Sequence, residues 1–212
     1  MIDSKSITLI SVAWGNHVEP TLHALLHCQR VFPHFDKILL FSNFSLTLNL
    51  NGSVVEFRNV GVSSLLEYNA FMVESLDKQI DSDFVLIAQS DGFIINPSLW
   101  KADFLDYDYI GAPWGCYGVC GNGGFSLRSK RFLEASARLT YNPRHPVYEI
   151  CPEDVFLCLD AFHRQTLVAQ GVRFADIKTA LEFSFESPVP EFPNQGIQNA
   201  FGFHGKFHLN TP

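Results

Sequence analysis

Asp91 is the first residue of this chain whose type and setting point to chemistry. It lies in Gln89-Ser90-Asp91-Gly92, directly after Phe84 to Ala88 (FVLIA), a short apolar run suited to a strand buried on both faces. A carboxylate there sits where open α/β sheets bind ligands, because side chains at strand carboxyl ends emerge into the crevice between the covering helices. The same residues also suit an Asp-Gly turn closing a hairpin onto Phe93–Ile95, and a turn can carry a ligand. Glu153 and Asp154 follow Pro152 at the head of the helical pattern Pro152 to Gln170. Acids there complement the helix dipole without any catalytic role, and the dipole would hold their pKa down.

The glycine-rich run from Gly111 to Gly124 is long and aperiodic, as active-site loops are. In it, Trp114 and Tyr117 offer flat aromatic faces for stacking, and Asn122 offers an amide for hydrogen bonding. Gly123 and Gly124 permit close backbone approach to a ligand, or a bulge leading into the next strand. His204, between phenylalanines, reads on sequence alone as a satisfied core histidine. Arg128, Lys130 and Arg131 form the densest basic cluster and could approach a diphosphate, although solvation at a helix start accounts for at least two of them.

These residues need elements to place them. Ile7 to Ala13 reads as a buried first strand ending at Trp14-Gly15-Asn16, and a first helix follows, with Pro20 at its start and Leu22, Leu25, Leu26, Gln29 and Phe32 at helical spacing. Lys37 to Ser42 and Val54 to Phe57 read as further strands. Ser64 and Glu67 have capping-box spacing ahead of a second helix that leads into the central strand. Beyond Asp91 the pattern predicts a helical turn at Pro97 to Trp100 and strands at Tyr107 to Ile110 and Gly124 to Ser129. It then predicts a helix over Lys130 to Leu139 and strands at Val172 to Ala175 and Leu181 to Phe185. Alternating strands and helices predict an α/β fold with a central, mostly parallel sheet. No dinucleotide or P-loop glycine fingerprint follows the first strand.

The 212 residues, 47% hydrophobic and 17% charged, are enough for one globular domain, 1–212, with a substantial core, and its twenty phenylalanines make that core aromatic. The N-terminal stretch has no basic region before a long apolar segment, and no run approaches a membrane span; a cytoplasmic protein without a transmembrane segment is expected. Five cysteines, an odd number, predict thiols rather than a disulfide framework. Cys116 and Cys120 lack two further ligands for zinc, so buried cysteine is expected of them. A net charge of −7 argues against a nucleic-acid partner. In so acidic a chain a phosphorylated substrate needs local neutralisation, which a divalent cation would supply.

QSDG, then GNGGFSLRS, then PEDVF, then FGFHG, in that order, resemble the GT-A class of glycosyltransferases over about Ile7 to Gly205. The resemblance is nearest to a group of short GT-A-like domains of unknown function, and more distant to galactosyltransferases with a Gly-Gly and a Glu-Asp motif. It implies a single-domain, Rossmann-like GT-A fold. About 1–110 would bind the sugar nucleotide, and about 111–205 the acceptor. A UDP-sugar would then lie across Trp14, Gly15, Asn16, Gln89, Ser90, Asp91 and Gly92, and a glycan or other hydroxyl acceptor over Trp114, Tyr117, Asn122, Gly123 and Gly124. Asp154, with Glu153 second, would be the base of an inverting transfer. Gln89-Ser90-Asp91 stands where the family has Asp-x-Asp, leaving one carboxylate for Mg²⁺ or Mn²⁺. The diphosphate would supply other ligands, and a nitrogen from His204 would favour Mn²⁺. The missing carboxylate also admits an inactive nucleotide- or glycan-binding module. A nucleotidyltransferase is disfavoured by the absent triphosphate loop.

Overall fold

The first strand of the chain occupies the middle of its sheet, and this ordering creates the crevice that the site uses. The computed structural model describes residues 5–50 and 52–209, so residues 1–4, part of the N-terminal stretch considered above, and 210–212 lie outside the described residues. The chain runs through β1 (Ile7–Val12), α1 (Val18–Val31), β2 (Lys37–Ser42), β3 (Leu46–Leu50), β4 (Ser53–Asn59), α2 (Leu65–Glu74) and β5 (Phe84–Ile87). It continues through β6 (Tyr109–Gly111), β7 (Pro113–Trp114), β8 (Val119–Cys120), β9 (Ser126–Ser129) and α3 (Lys130–Ser136), then α4 (Ala161–Ala169), α5 (Ile177–Phe183), β10 (Ser184–Phe185) and β11 (Gly202–Phe203). Seven strands form the main sheet in the order β3-β4-β2-β1-β5-β9-β6. β4, β2, β1 and β5 are parallel, while β3, at one edge, and β9 pair antiparallel with their neighbours.

β1 feeds β2 on one side, and β5 joins it on the other, so the strand order reverses between β1 and β5. The crevice of an open α/β sheet lies at the carboxyl ends of such a pair. Antiparallel β9 then sets its amino end beside the carboxyl end of β5, with Ile87 opposite Ser126. The loop preceding β9, which contains Gly123 and Gly124, is thereby carried to the turn that contains Asp91.

α1 covers the sheet through Thr21, Ala24, Leu25 and Cys28, whose spacing gives one buried face; it begins at Val18, ahead of Pro20. Ser64 Oγ accepts from the Glu67 N–H at 3.3 Å, as the capping spacing predicts, while Glu67 returns to the Ser63 N–H at 2.9 Å. The C-terminal segment is anchored by Phe201, whose ring lies 5.4 Å from Phe32, 5.2 Å from Trp100 and 5.8 Å from Phe183.

Several expectations are corrected. Pro152 to Gln170 is not one helix: Val155–Leu159 forms a π-helical turn closed by Asp160 N–H to Val155 O at 2.9 Å. Asp160 then leaves the helical conformation and caps α4 by accepting from the His163 N–H at 3.0 Å. Leu181 to Phe183 belongs to α5, started by Asp176 capping Thr179, and only Ser184–Phe185 is extended. Val172 to Ala175 makes a single bridge, Tyr109 to Phe174, instead of a strand. β3 adds to the strands expected from sequence. All five cysteines are free, but Cys116 is exposed. No helix among the described residues is long and apolar enough to cross a membrane.

Candidate active site

Ser90 and Asp91 form the tip of a tight turn, because Gln89 and Gly92 exchange backbone hydrogen bonds at 2.8 and 3.0 Å. The turn and the strand-end position therefore coincide. The Asp91 carbonyl accepts from the Gly205 N–H at 2.8 Å, and the His204 N–H donates to Phe185 O at 3.0 Å, which fixes the C-terminal segment against the turn. His204 Nε2 ends 3.8 Å from Asp91 Oδ1, and its Nδ1 lies 3.4 Å from Glu186 Oε1. Burial works against the imidazolium, but the Glu186, Asp91 and Asp154 carboxylates outweigh it and raise the His204 pKa.

Trp14, Gln89, Ser90 and Asp91 line one cleft of about 230 Å³, together with His17, Tyr68 and Lys206. The Trp14 ring is held 6.3 Å from Tyr68, whose hydroxyl accepts from Gln89 Nε2 at 3.1 Å. Gly15 and Asn16 are exposed in a 3-10 turn and do not line this cleft. Gly92 packs inward: a Cβ there would meet His204 Cδ2 at 2.9 Å.

Trp114, Tyr117, Asn122 and Asp154 line a second cleft of about 260 Å³, with Tyr148 as a further aromatic wall. Asp154 is half-buried, and each of its oxygens is held by one backbone donor: Oδ2 by the Gly123 N–H at 2.9 Å and Oδ1 by the Val155 N–H at 2.8 Å. Burial and the neighbouring Glu153 charge raise its pKa from 3.8 to about 6, against the pull of the two N–H groups and Arg128. The lowering expected from a helix start is thus overridden by desolvation and like charge.

Glu153 is oriented away from this cleft. It is buried and grips Arg128 through both oxygens, at 2.7 and 3.1 Å, while its N–H donates to Asn69 Oδ1 at 2.9 Å. Arg128, on β9, is fully buried, so it has no access to a diphosphate. Lys130 donates to the Ile80 carbonyl at 2.7 Å, and Arg131 lies exposed beside Asp108.

Gly123 and Gly124 face the protein rather than open space. A Cβ at Gly123 would meet Glu153 Oε1 at 2.3 Å and Arg128 Nη2 at 2.8 Å, and one at Gly124 would meet His204 Nε2 at 2.1 Å and Gln89 Oε1 at 2.9 Å. The glycine pair is therefore the seam along which four sequence motifs meet. Asn122 closes that seam, donating to Glu186 Oε1 at 3.0 Å and accepting from the Gly124 N–H at 3.0 Å.

Glu186, Tyr148, His17, Tyr68 and Lys206 are site residues the sequence did not single out. Lys206 follows His204 by two positions, and only the fold brings it to the Asp91 cleft. Glu186 and Tyr148 lie in aperiodic segments and carried none.

Among the described residues, no group of three or more His, Cys, Asp or Glu side chains gathers in a metal-binding arrangement. Asp91 and His204 nevertheless provide a paired oxygen and nitrogen donor. Glu186, on the far side of the imidazole, suits a metal-bound histidine, whose other N–H usually meets a carboxylate or carbonyl.

A family model described as "Protein of unknown function (DUF5672)" matches residues 52–204. No curated protein matches the chain. A glycosyltransferase involved in the glycosylation of the major capsid of PBCV-1 superposes with a TM-score of 0.53 at 13% identity, over 98% of this chain and 94% of that one. The apo-form glycosyltransferase GlyE of Streptococcus pneumoniae TIGR4 superposes with a TM-score of 0.52 at 11% identity, over 94% of this chain and 54% of that one, so this chain spans about half of its length. At these identities the likeness is one of fold: a mixed α/β sheet with flanking helices, similar to that of glycosyltransferases.

Proposed function

We infer that this chain, which belongs to the DUF5672 family, is an inverting glycosyltransferase of GT-A type that moves a sugar from a nucleoside diphosphate, foremost a UDP-sugar, to an acceptor hydroxyl. The observation that carries this reading is the seam at Gly123–Gly124. It joins the Asp91–His204 pair at one cleft to the Asp154 carboxylate at the other within two residues of backbone.

In this reading the nucleoside diphosphate lies in the cleft walled by Trp14 and Tyr68, and Lys206 supplies positive charge to the phosphates. Asp91 and His204 would hold a divalent cation, whose chemistry is to neutralise the diphosphate as it leaves. The acceptor enters between Trp114, Tyr117 and Tyr148. That lining contains one carboxylate and no lysine or arginine, which suits an uncharged acceptor. Asp154 takes the proton from the acceptor hydroxyl while the acceptor oxygen bonds to the anomeric carbon and the bond from that carbon to the phosphate oxygen breaks. With its two oxygens already held by N–H groups, the carboxylate needs no reorientation to receive that proton. A pKa of about 6 leaves Asp154 ionised at neutral pH and more basic than an ordinary aspartate.

The test is release of nucleoside diphosphate from a panel of sugar nucleotides, with simple glycosides as acceptors. Asp154→Asn is expected to lower kcat by roughly 10² to 10⁴ while donor binding persists. Near wild-type turnover in that variant would contradict the base assignment. Donor binding without turnover in the unmodified protein would favour a binding module instead.

A further inference from the structure

A fully buried arginine bound to a buried glutamate is costly to assemble. Replacing such a pair with apolar residues is often neutral or stabilising, so stability alone does not account for it. Its connections suggest another role. Arg128 Nε donates to Ser126 Oγ at 3.1 Å, its Nη2 reaches the Gly123 carbonyl at 3.5 Å, and both terminal nitrogens bind Glu153. Ser126 Oγ itself donates to Gly123 O at 2.9 Å. The guanidinium thus ties together the two backbone segments that flank Asp154: the one that donates the Gly123 N–H to it and the one that carries it. Tyr109 and Phe132 enclose the guanidinium at 5.1 and 5.8 Å, so the tie has no solvent route to relax.

We propose that Arg128 and Glu153 are positioning residues for Asp154: the ion pair clamps the Gly123 loop to the Glu153–Asp154 segment and sets the charge that the Asp154 carboxylate feels. The inference rests on Asp154 being the base. The titratable and charged groups acting around Asp154 are Glu153, Arg128, His204, Tyr68, Tyr109, Cys151 and Cys158. Of these, Glu153 adjoins it in the chain and is the largest electrostatic influence raising its pKa.

The experiment compares wild type, Glu153→Gln and the apolar double variant Arg128→Met/Glu153→Leu, reading thermal stability, kcat against KM for the donor, and the aspartate carboxyl titration by ¹³C NMR. The Asp154 signal is identified by its absence in Asp154→Asn. Glu153→Gln is expected to lower the Asp154 midpoint by about one unit or more, since a like charge is removed and the arginine cation is left. The double variant is expected to fold, yet to lose about 100-fold in kcat with donor KM little changed, as a misplaced catalytic group does. A folded double variant with wild-type turnover and an unmoved titration would overturn the proposal and leave the pair a packing feature. Should the apolar pair not fold, Glu153→Asp, which keeps the charge and draws the carboxylate back by one carbon, must show the same loss of kcat. Wild-type kcat in it would equally overturn the clamp. Retained transfer in Asp154→Asn refutes the base, whereas an unmoved midpoint with an inactive Asp154→Asn refutes only the clamp.

Discussion

At Asp154 opposing influences meet, and the larger ones are desolvation and the adjacent Glu153 charge. As the proposed base, Asp154 would have to be ionised, so kcat/KM is expected to rise with pH on an acid limb centred near the pKa of about 6. The stability sign is the reverse. A carboxyl whose pKa is raised on folding contributes stability fully below its ordinary 3.8 and loses it as pH rises through about 6. Asp154→Asn should therefore remove activity and also flatten the fall in melting temperature between about pH 4 and pH 7, measured against wild type. A limb centred near 4 would contradict the buried environment. Gly123→Ala, whose Cβ would lie 2.3 Å from Glu153 Oε1, should lower turnover as the clamp variants do. The placement of Asp91 at a strand end and of the glycine pair just before a strand was legible, because strand ends and glycine runs follow backbone rules. The reason for the glycines was not, since the atoms they make room for, on Glu153, Arg128, His204 and Gln89, are brought there by tertiary contact.

At the level of elements, the parallel strands were legible from their apolar runs, and β2 begins and ends where the pattern placed it, at Lys37 and Ser42. The antiparallel insertion of β9 beside β5 had no local signature, although it delivers the glycine seam to the Asp91 turn. The break at Asp160 was hidden because apolar periodicity runs through it; only the Asp160 cap marks the new start. The π-helical turn it leaves behind carries Asp154 at its head, in keeping with the occurrence of such turns at functional sites. The Ser64 cap was fully legible and gives a clean test: Ser64→Ala should destabilise the protein by about 1 kcal/mol in urea unfolding, with an unchanged m-value. No loss of stability would mean that the Glu67 contacts to Ser63 suffice to start α2.

For the whole molecule, the strand order reverses between β1 and β5, and the cleft lined by Trp14, Gln89, Ser90 and Asp91 lies at their carboxyl ends. The sheet order was only partly legible, because sequence periodicity gives strands but not their neighbours. A chain of net charge −7 would receive a nucleoside diphosphate only where positive charge gathers, and in the proposed reading Lys206 and a cation held by Asp91 and His204 would supply it. The most direct test is a thermal-shift titration of wild type and Asp91→Ala with nucleoside diphosphates and sugar nucleotides, each with and without Mn²⁺. A ligand at about 100 times its dissociation constant stabilises by about 2.7 kcal/mol, which for a domain of this size is roughly 5 to 10 °C. The account predicts a metal-dependent shift of that order for one nucleotide, lost in Asp91→Ala. No shift with any of them, or one indifferent to Asp91, would contradict it.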